Sequence, residues 1–119
     1  MQKMRTMLYV DDVEQVVQFW QDELGAKVVE VNALPDESNN IVVEVAPNVE
    51  LSFFAKAFIR RYSPEVLGNT PSLMFYSKDF NALHDRLATA GEIVKNAGTA
   101  TFNFRDPEGN YFVIAQAKS

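Results

Sequence analysis

The chain has 119 residues, of which 47% are hydrophobic and 23% charged, a composition typical of one ordinary globular domain. It contains no cysteine and one histidine, His84, which excludes disulfides, cysteine nucleophiles and metal sites that need thiolates or several imidazoles. The net charge of −5 opposes binding to nucleic acid or an anionic membrane surface. Without a signal-peptide core or a bilayer-long apolar run, the sequence predicts a cytoplasmic protein with no nucleic-acid or membrane partner.

The first half of the chain predicts the element order βαβββ. Residues 4–10 are bulky and β-branched, as expected of a strand. Asp12 can cap a helix that Gly25 ends, and the apolar positions of this helix recur at helical spacing: Val13, Val16, Val17, Trp20 and Leu24. Three further strands are predicted over residues 26–34, 41–46 and 49–56.

The second half repeats this order after a connector over residues 57–70, in which Ser63-Pro64-Glu65 predicts a short helical turn. A shift of 67 residues superposes Tyr9 on Tyr76 and Asp12 on Asp79, which indicates an internal repeat. In this repeat Asp79 is expected to cap a helix and Gly91 to end it. The predicted strands cover residues 71–77, 93–95, 99–104 and 111–117, with a turn over residues 106–110.

Two motifs carry a resemblance to a known family. The segment from Met7 through Phe19-Trp20 to Gly25, and the hairpin sequence from Phe102 to Asn110, are similar to motifs of the vicinal oxygen chelate superfamily. This superfamily includes glyoxalase I, bleomycin-resistance proteins and extradiol dioxygenases. The resemblance covers about residues 4–117 and implies an α+β fold, in which two tandem βαβββ units form a cup-shaped mixed sheet with helices packed outside. It implies one domain, 1–119, with repeats at about 3–56 and 71–117 joined by the connector.

The resemblance also implies where a metal would bind. In the family's enzymes four strand positions hold a divalent metal, and they fall here on Arg5, Glu50, Ser72 and Val113. Only Glu50 retains a metal-ligand side chain, since a guanidinium repels a cation, a serine hydroxyl is a poor neutral ligand and valine has no donor atom. We therefore expect no metal and no cofactor, which argues against metal-dependent glyoxalase or dioxygenase activity.

A cup without a metal leaves a candidate small-molecule site. The residues expected to line it are Arg5, Met7, Tyr9, Glu50, Ser52, Phe54, Ser72, Met74, Tyr76, Tyr111 and Val113. Arg5 and Glu50 either anchor a polar ligand or form a structural ion pair that replaces the metal. The apolar and aromatic side chains either line a cavity for a hydrophobic or aromatic molecule or fill the cup as core.

The leading hypothesis is a bleomycin-resistance-like homodimer that binds a small hydrophobic or aromatic molecule. One alternative is a divergent lyase, isomerase or hydrolase in which Glu50 is a general base and Arg5 stabilises an oxyanion. Another is a protein-interaction domain with a vestigial cup. His84 is interpreted as structural. The basic residues Lys56, Arg60 and Arg61 are interpreted as a solvated connector or subunit contact, with guidance of an anionic ligand as the alternative.

Overall fold

The computed structural model describes residues 1–68 and 71–118, and the chain divides into two compact units, Met1–Pro71 and a second that begins at Ser72. The first unit contains β1 (Met4–Val10), α1 (Val13–Leu24), β2 (Lys27–Ala33), β3 (Asn39–Ala46), β4 (Val49–Ala55), α2 (Lys56–Tyr62) and a short 3-10 turn (Pro64–Val66). The second contains β5 (Met74–Ser77), α3 (Phe80–Arg86), β6 (Val94–Asn96), β7 (Thr99–Arg105) and β8 (Tyr111–Gln116). The α+β fold built from two βαβββ units is confirmed.

The sheet of the first unit has two chemically different faces. Its strand order is β1-β4-β3-β2, with β1 parallel to β4 and the other pairs antiparallel. Because side chains alternate along a strand, β1 and β4 place Leu8 and Phe53 on one face and Arg5 and Glu50 on the other. We call the second face, which also carries the odd-numbered side chains of β1, the even-numbered ones of β4 and those of β3 up to Glu44, the Arg5 face.

Helix α1 covers the face opposite the Arg5 face. Its buried side chains are Val13, Val16, Val17 and Trp20. The Trp20 ring packs on Phe53, with centroids 6.4 Å apart. The Asp12 carboxylate accepts a hydrogen bond from the Gln15 amide at the N-terminus, and Gly25 ends the helix in the left-handed region with φ 68°. The predicted start and end of α1 are confirmed.

A β-bulge in β2 changes which side chains reach the Arg5 face. Lys27 pairs with Glu44 and Val28 with Val43, but the next partner of β3, Val42, pairs with Glu30. The bulge at Val29 therefore puts Glu30 on the same face as Arg5, where unbroken alternation would have turned it toward α1.

The second unit has the strand order β5-β8-β7-β6, and β5 is parallel to β8. Its core consists of the rings of Phe102, Phe104 and Phe112 together with Ile114, all nearly inaccessible to solvent. Helix α3 adds Phe80, whose ring packs edge-on against Phe102 with centroids 5.1 Å apart.

Two local predictions for the second helix were wrong, and one helix was not predicted. The second helix was expected to end at Gly91, but α3 ends at Arg86. The Gly91 amide instead donates a hydrogen bond to Asn103 O. Asp79 precedes α3, but its side chain makes no capping hydrogen bond. Part of the expected connector is helix α2, which buries Ile59.

Candidate functional site

The predicted site residues of the first unit form three neighbouring cross-strand pairs on the Arg5 face. The register of β1 and β4 pairs Arg5 with Glu50, Met7 with Ser52 and Tyr9 with Phe54. At about 3.3 Å per residue, the first and third pairs are about 13 Å apart along the strands. The face therefore changes from charged to aromatic over the length of a small organic molecule.

The charged end is a closed ionic cluster of Lys3, Arg5, Glu30 and Glu50. Arg5 Nε donates to Glu50 Oε1 at 2.9 Å, and Arg5 Nη2 lies 2.9 Å from the same oxygen and 2.8 Å from Glu30 Oε2. Lys3 Nζ lies 3.2 Å from the second oxygen of Glu50, Oε2. Two cations thus face two anions, and Arg5 links the edge strand β1 to the opposite edge strand β2.

The pairing sets the protonation of both carboxylates. Burial acts to raise the pKa of Glu50, but the hydrogen bonds and charges of Arg5 and Lys3 outweigh it and hold this pKa below its ordinary value. The pKa of Glu30 is lowered by the hydrogen bond from Asn32 and then by Arg5. In turn, the hydrogen bond to Glu50 is the largest cause of the raised pKa of Arg5, followed by the hydrogen bond to Glu30. Both carboxylates are therefore ionised at neutral pH.

A chain of amide and hydroxyl groups continues from the ionic cluster. Asn32 Nδ2 contacts Glu30 Oε1 at 3.3 Å and donates to Asn40 Oδ1 at 2.9 Å. Asn40 Nδ2 donates to Ser52 Oγ at 2.9 Å and to Phe53 O at 3.0 Å. Because Asn40 and Ser52 are buried, these bonds satisfy polar groups that would otherwise be costly.

The aromatic end of the face is formed by Tyr9 and Phe54, whose ring centroids are 6.3 Å apart. Both side chains are half-buried, and Met7 beside them is 47% exposed. By contrast, Glu50 is only 4% exposed and Ser52 only 1%. A ligand lying on this face would therefore touch Arg5, Met7, Tyr9 and Phe54 directly, while Glu50 and Ser52 act mainly through their partners.

The predicted site residues of the second unit lie on its own sheet or beside it. Met74 pairs with Val113 across β5 and β8, and Tyr76 and Tyr111 point to the same face of that sheet. Met74, Tyr76 and Tyr111 are 49%, 68% and 62% exposed. Ser72 is exposed and precedes β5. Met74, Tyr76 and Tyr111 therefore form an apolar, solvent-facing surface of the second unit.

Shallow depressions of the second unit do not coincide with this surface. One is lined by Gly98, Thr99, Ala100, Gln116, Ala117 and Lys118. Another is lined by Gly91, Glu92, Val94, Thr101, Phe102 and Asn103. Neither contains a predicted site residue or an ionic cluster, so we do not assign the site to them.

The residues at the family's metal-binding positions do not fit a metal. Both oxygens of Glu50 face a lysine or arginine within 3.2 Å, and Arg5 itself can donate hydrogen bonds but cannot coordinate a cation. Ser72 and Val113 add only a neutral hydroxyl and a hydrocarbon. Within residues 1–68 and 71–118, no group of three or more His, Asp or Glu side chains is placed to hold a metal ion.

Sequence reasoning missed four members of the polar network: Lys3, Glu30, Asn32 and Asn40. The Val28-Val29 pair, which breaks the alternation of β2, is the local signal that could have placed Glu30 and Asn32 on the Arg5 face. No local signal marks Asn40, because only its contact with Ser52 on the neighbouring strand reveals its role.

His84 has structural partners in the second unit. Its Nε2 lies 2.8 Å from Gly91 O, and its ring stands edge-on to Phe102 with centroids 4.9 Å apart. These contacts connect α3 to the chain that follows it and to β7. They support the interpretation of His84 as a packing residue.

The paired βαβββ units, each with a mixed four-stranded sheet, define the class of glyoxalase-like proteins. The family model of the Glyoxalase/Bleomycin resistance protein/Dioxygenase superfamily matches residues 4–114, so the chain belongs to this superfamily. A comparison with curated proteins finds no match. None of the helices in the described part of the chain is long and apolar enough to cross a membrane.

Solved structures share this fold at low sequence identity. A superfamily member from Sphaerobacter thermophilus DSM 20745 is 19% identical with a TM-score of 0.76, covering 97% of this chain and 96% of its own. TnmS3, an antibiotic binding protein from Streptomyces sp. CB03234, is 17% identical with a TM-score of 0.76, covering 98% and 95%. Lactoylglutathione lyase from Agrobacterium tumefaciens is 20% identical with a TM-score of 0.73, covering 97% and 92%.

Proposed function

We propose that this protein binds a small hydrophobic or aromatic molecule on the Arg5 face without a metal. The observation that carries the proposal is the arrangement of that face, where an ionic cluster with mutually paired charges adjoins the half-buried rings of Tyr9 and Phe54. The rings supply apolar contact area, and the polar end orients the molecule. TnmS3, which is described as an antibiotic binding protein, has the same fold. This likeness supports the binding of a small molecule as the class of function that we propose.

The state of Glu50 argues against the enzyme alternative. A general base works best with a pKa near the operating pH, whereas ion pairing holds the pKa of Glu50 below its ordinary value. Its two oxygens are also engaged by Arg5 and Lys3. These contacts therefore support binding without catalysis. The protein-interaction alternative differs from both, because it predicts that no small molecule binds.

We extend the proposal to the assembly and location of the protein. The two repeats form one functional domain over residues 1–119, and two copies associate as a cytoplasmic homodimer. Support for the dimer comes from β1, an edge strand of its sheet that carries the exposed side chains of Met4 and Met7. An edge strand has unpaired backbone groups that favour association with another chain.

A ligand screen on metal-stripped protein tests the proposal. Protein treated with a chelator is melted in the presence of a panel of planar aromatic and aliphatic compounds, since a ligand at 100 times its Kd stabilises the fold by about 2.7 kcal/mol. We expect stabilisation by aromatic compounds, and we expect Phe54→Leu to weaken it. The matched control is Phe19→Leu, which changes another half-buried aromatic residue, on α1. No stabilisation by any compound, or an equal loss in both variants, would refute the proposal.

A further inference from the structure

The aromatic surface of the first unit does not end at the sheet. The ring of Phe54 stacks on Phe58 of α2, with centroids 6.0 Å apart and planes at 17°. Phe58 in turn packs against Tyr62, with centroids 4.7 Å apart. Together with Tyr9, these rings form a continuous aromatic ladder that runs from the Arg5 face along one side of α2, since Phe58 and Tyr62 are four residues apart.

The ladder has an accessible end. Tyr9, Phe54 and Phe58 are half-buried, whereas Tyr62 is 48% exposed. Centroid spacings of 4.7–6.3 Å leave no room for another ring, which needs about 3.5 Å on each side. A flat molecule would therefore lie along the exposed edge of the ladder and stack at its Tyr62 end.

Positive charge is concentrated at that same end. The Arg61 guanidinium carbon is 5.4 Å from the centroid of the Tyr62 ring, and the preceding residue, Arg60, is also exposed. Among the described residues neither arginine has a carboxylate within ion-pair distance. Arg61 makes a minor contribution to lowering the pKa of Asp36, whose largest cause is the hydrogen bond from Ser38.

This contrasts with the opposite end of the Arg5 face. There Arg5 and Lys3 form ion pairs with Glu30 and Glu50. Because the positive and negative charges of the ionic cluster balance, it does not attract an anion. In a chain with a net charge of −5, Arg61 contacts a ring of the ladder and, among the described residues, has no carboxylate within ion-pair distance.

We infer that the ladder is the ligand platform and that Arg61 selects planar aromatic molecules that carry an anionic group. The aromatic part stacks along the ladder, and its carboxylate or sulfonate pairs with the guanidinium at the Tyr62 end. The inference rests on the proposed function and adds to it a ligand class and two residues of α2, Arg61 and Tyr62, that determine specificity.

Three naphthalene probes of equal size and different charge test this inference. They are 2-naphthoate, 2-naphthalenemethanol and 2-naphthylmethylammonium, titrated into the protein by calorimetry at low salt. We expect 2-naphthoate to bind about five- to tenfold more tightly than the ammonium compound, with the alcohol between them. Arg61→Gln should remove most of this preference without changing affinity for the alcohol, and Tyr62→Leu should weaken all three.

The matched control is Lys78→Gln, which removes an exposed cation of the second unit and should change nothing. Equal binding of the three probes, lost in Phe54→Leu but unaffected by Arg61→Gln, would overturn this inference and leave the proposed function standing. A preference for 2-naphthoate that survives Arg61→Gln would also overturn it. Absence of binding by every probe would overturn both.

Discussion

At the scale of single residues, the central feature is Glu50, a nearly buried carboxylate with a cation at each oxygen. An uncompensated charge in such a position is costly, whereas a paired one with satisfied hydrogen bonds is tolerated. The hydrogen bond from Arg5 is the largest single part of this compensation, and Arg5 also reaches Glu30 across the sheet. The stability of the first unit therefore depends on the pair as a whole.

A double-mutant cycle on Arg5 and Glu50 measures this dependence. Glu50→Gln leaves Arg5 and Lys3 short of a counter-charge, and Arg5→Met leaves two carboxylates with less compensation, so each variant should melt several degrees below the wild type. The double variant should recover much of the loss, because it removes both charges together. The check is thermal melting of the four proteins; losses that simply add would show that the two charges are not coupled.

The same carboxylates predict an acid-labile fold. The pKa values of Glu30 and Glu50 are lowered in the folded state, so the unfolded chain takes up protons first as the pH falls. The stabilisation is complete above about pH 4.3 and is lost as the pH falls through the folded-state values. Melting temperatures measured from pH 3 to pH 7 should decline less steeply for the Arg5→Met/Glu50→Gln variant. Parallel declines would contradict the ion-pair explanation.

At the scale of secondary-structure elements, a local residue preference ends helix α1, whereas tertiary contacts determine where α3 ends. Gly25 ends α1 with φ 68°, whereas Gly91 lies beyond the end of α3 without a positive φ. Gly25→Ala should destabilise the protein by about 1–2 kcal/mol, because a Cβ is strained in the left-handed region. Gly91→Ala, the matched control, places a Cβ 3.6 Å from Asn103 O, an ordinary contact, and should have little effect. Chemical denaturation of both variants tests the difference; equal losses would contradict it.

The same elements show how much of the fold the sequence predicts. The bounds of β1 and the ends of α1 follow from local patterns: a bulky strand, an acidic cap, apolar side chains at helical spacing and a terminal glycine. The early end of α3 does not, because Thr89 exchanges two hydrogen bonds with the backbone of Arg105 on β7. Helix α2 has no side-chain cap at its start, so its helical conformation depends on packing of Ile59 and Phe58 that no local pattern reveals.

The candidate site divides in the same way. Alternation along β1 and β4 is sufficient to predict that Arg5, Tyr9, Glu50 and Phe54 share a face. It is insufficient for Glu30, because a bulge shifts the register of β2 by one residue. Which side chains belong to the site therefore depends partly on how the strands pair within the sheet, and this pairing is not visible in the local sequence.

At the scale of the whole molecule, the exposed edge strand β1 predicts self-association. We expect a homodimer with two-fold symmetry and two equivalent binding sites. Light scattering at micromolar concentration should give twice the chain mass. Met7→Lys, which adds a charge to β1 where the exposed Met7 lies, should shift the equilibrium toward monomer, while Lys78→Gln should not. A wild-type monomer at these concentrations would contradict the prediction.

The most direct test of metal-free binding on the Arg5 face is an amide chemical-shift titration of chelator-treated protein with 2-naphthoate. We expect saturable shifts at Tyr9, Phe54, Phe58 and Tyr62 that stay the same when zinc, nickel, manganese or iron is added. Shifts that appear only after one of these metals is supplied, or that are confined to the second unit, would contradict it.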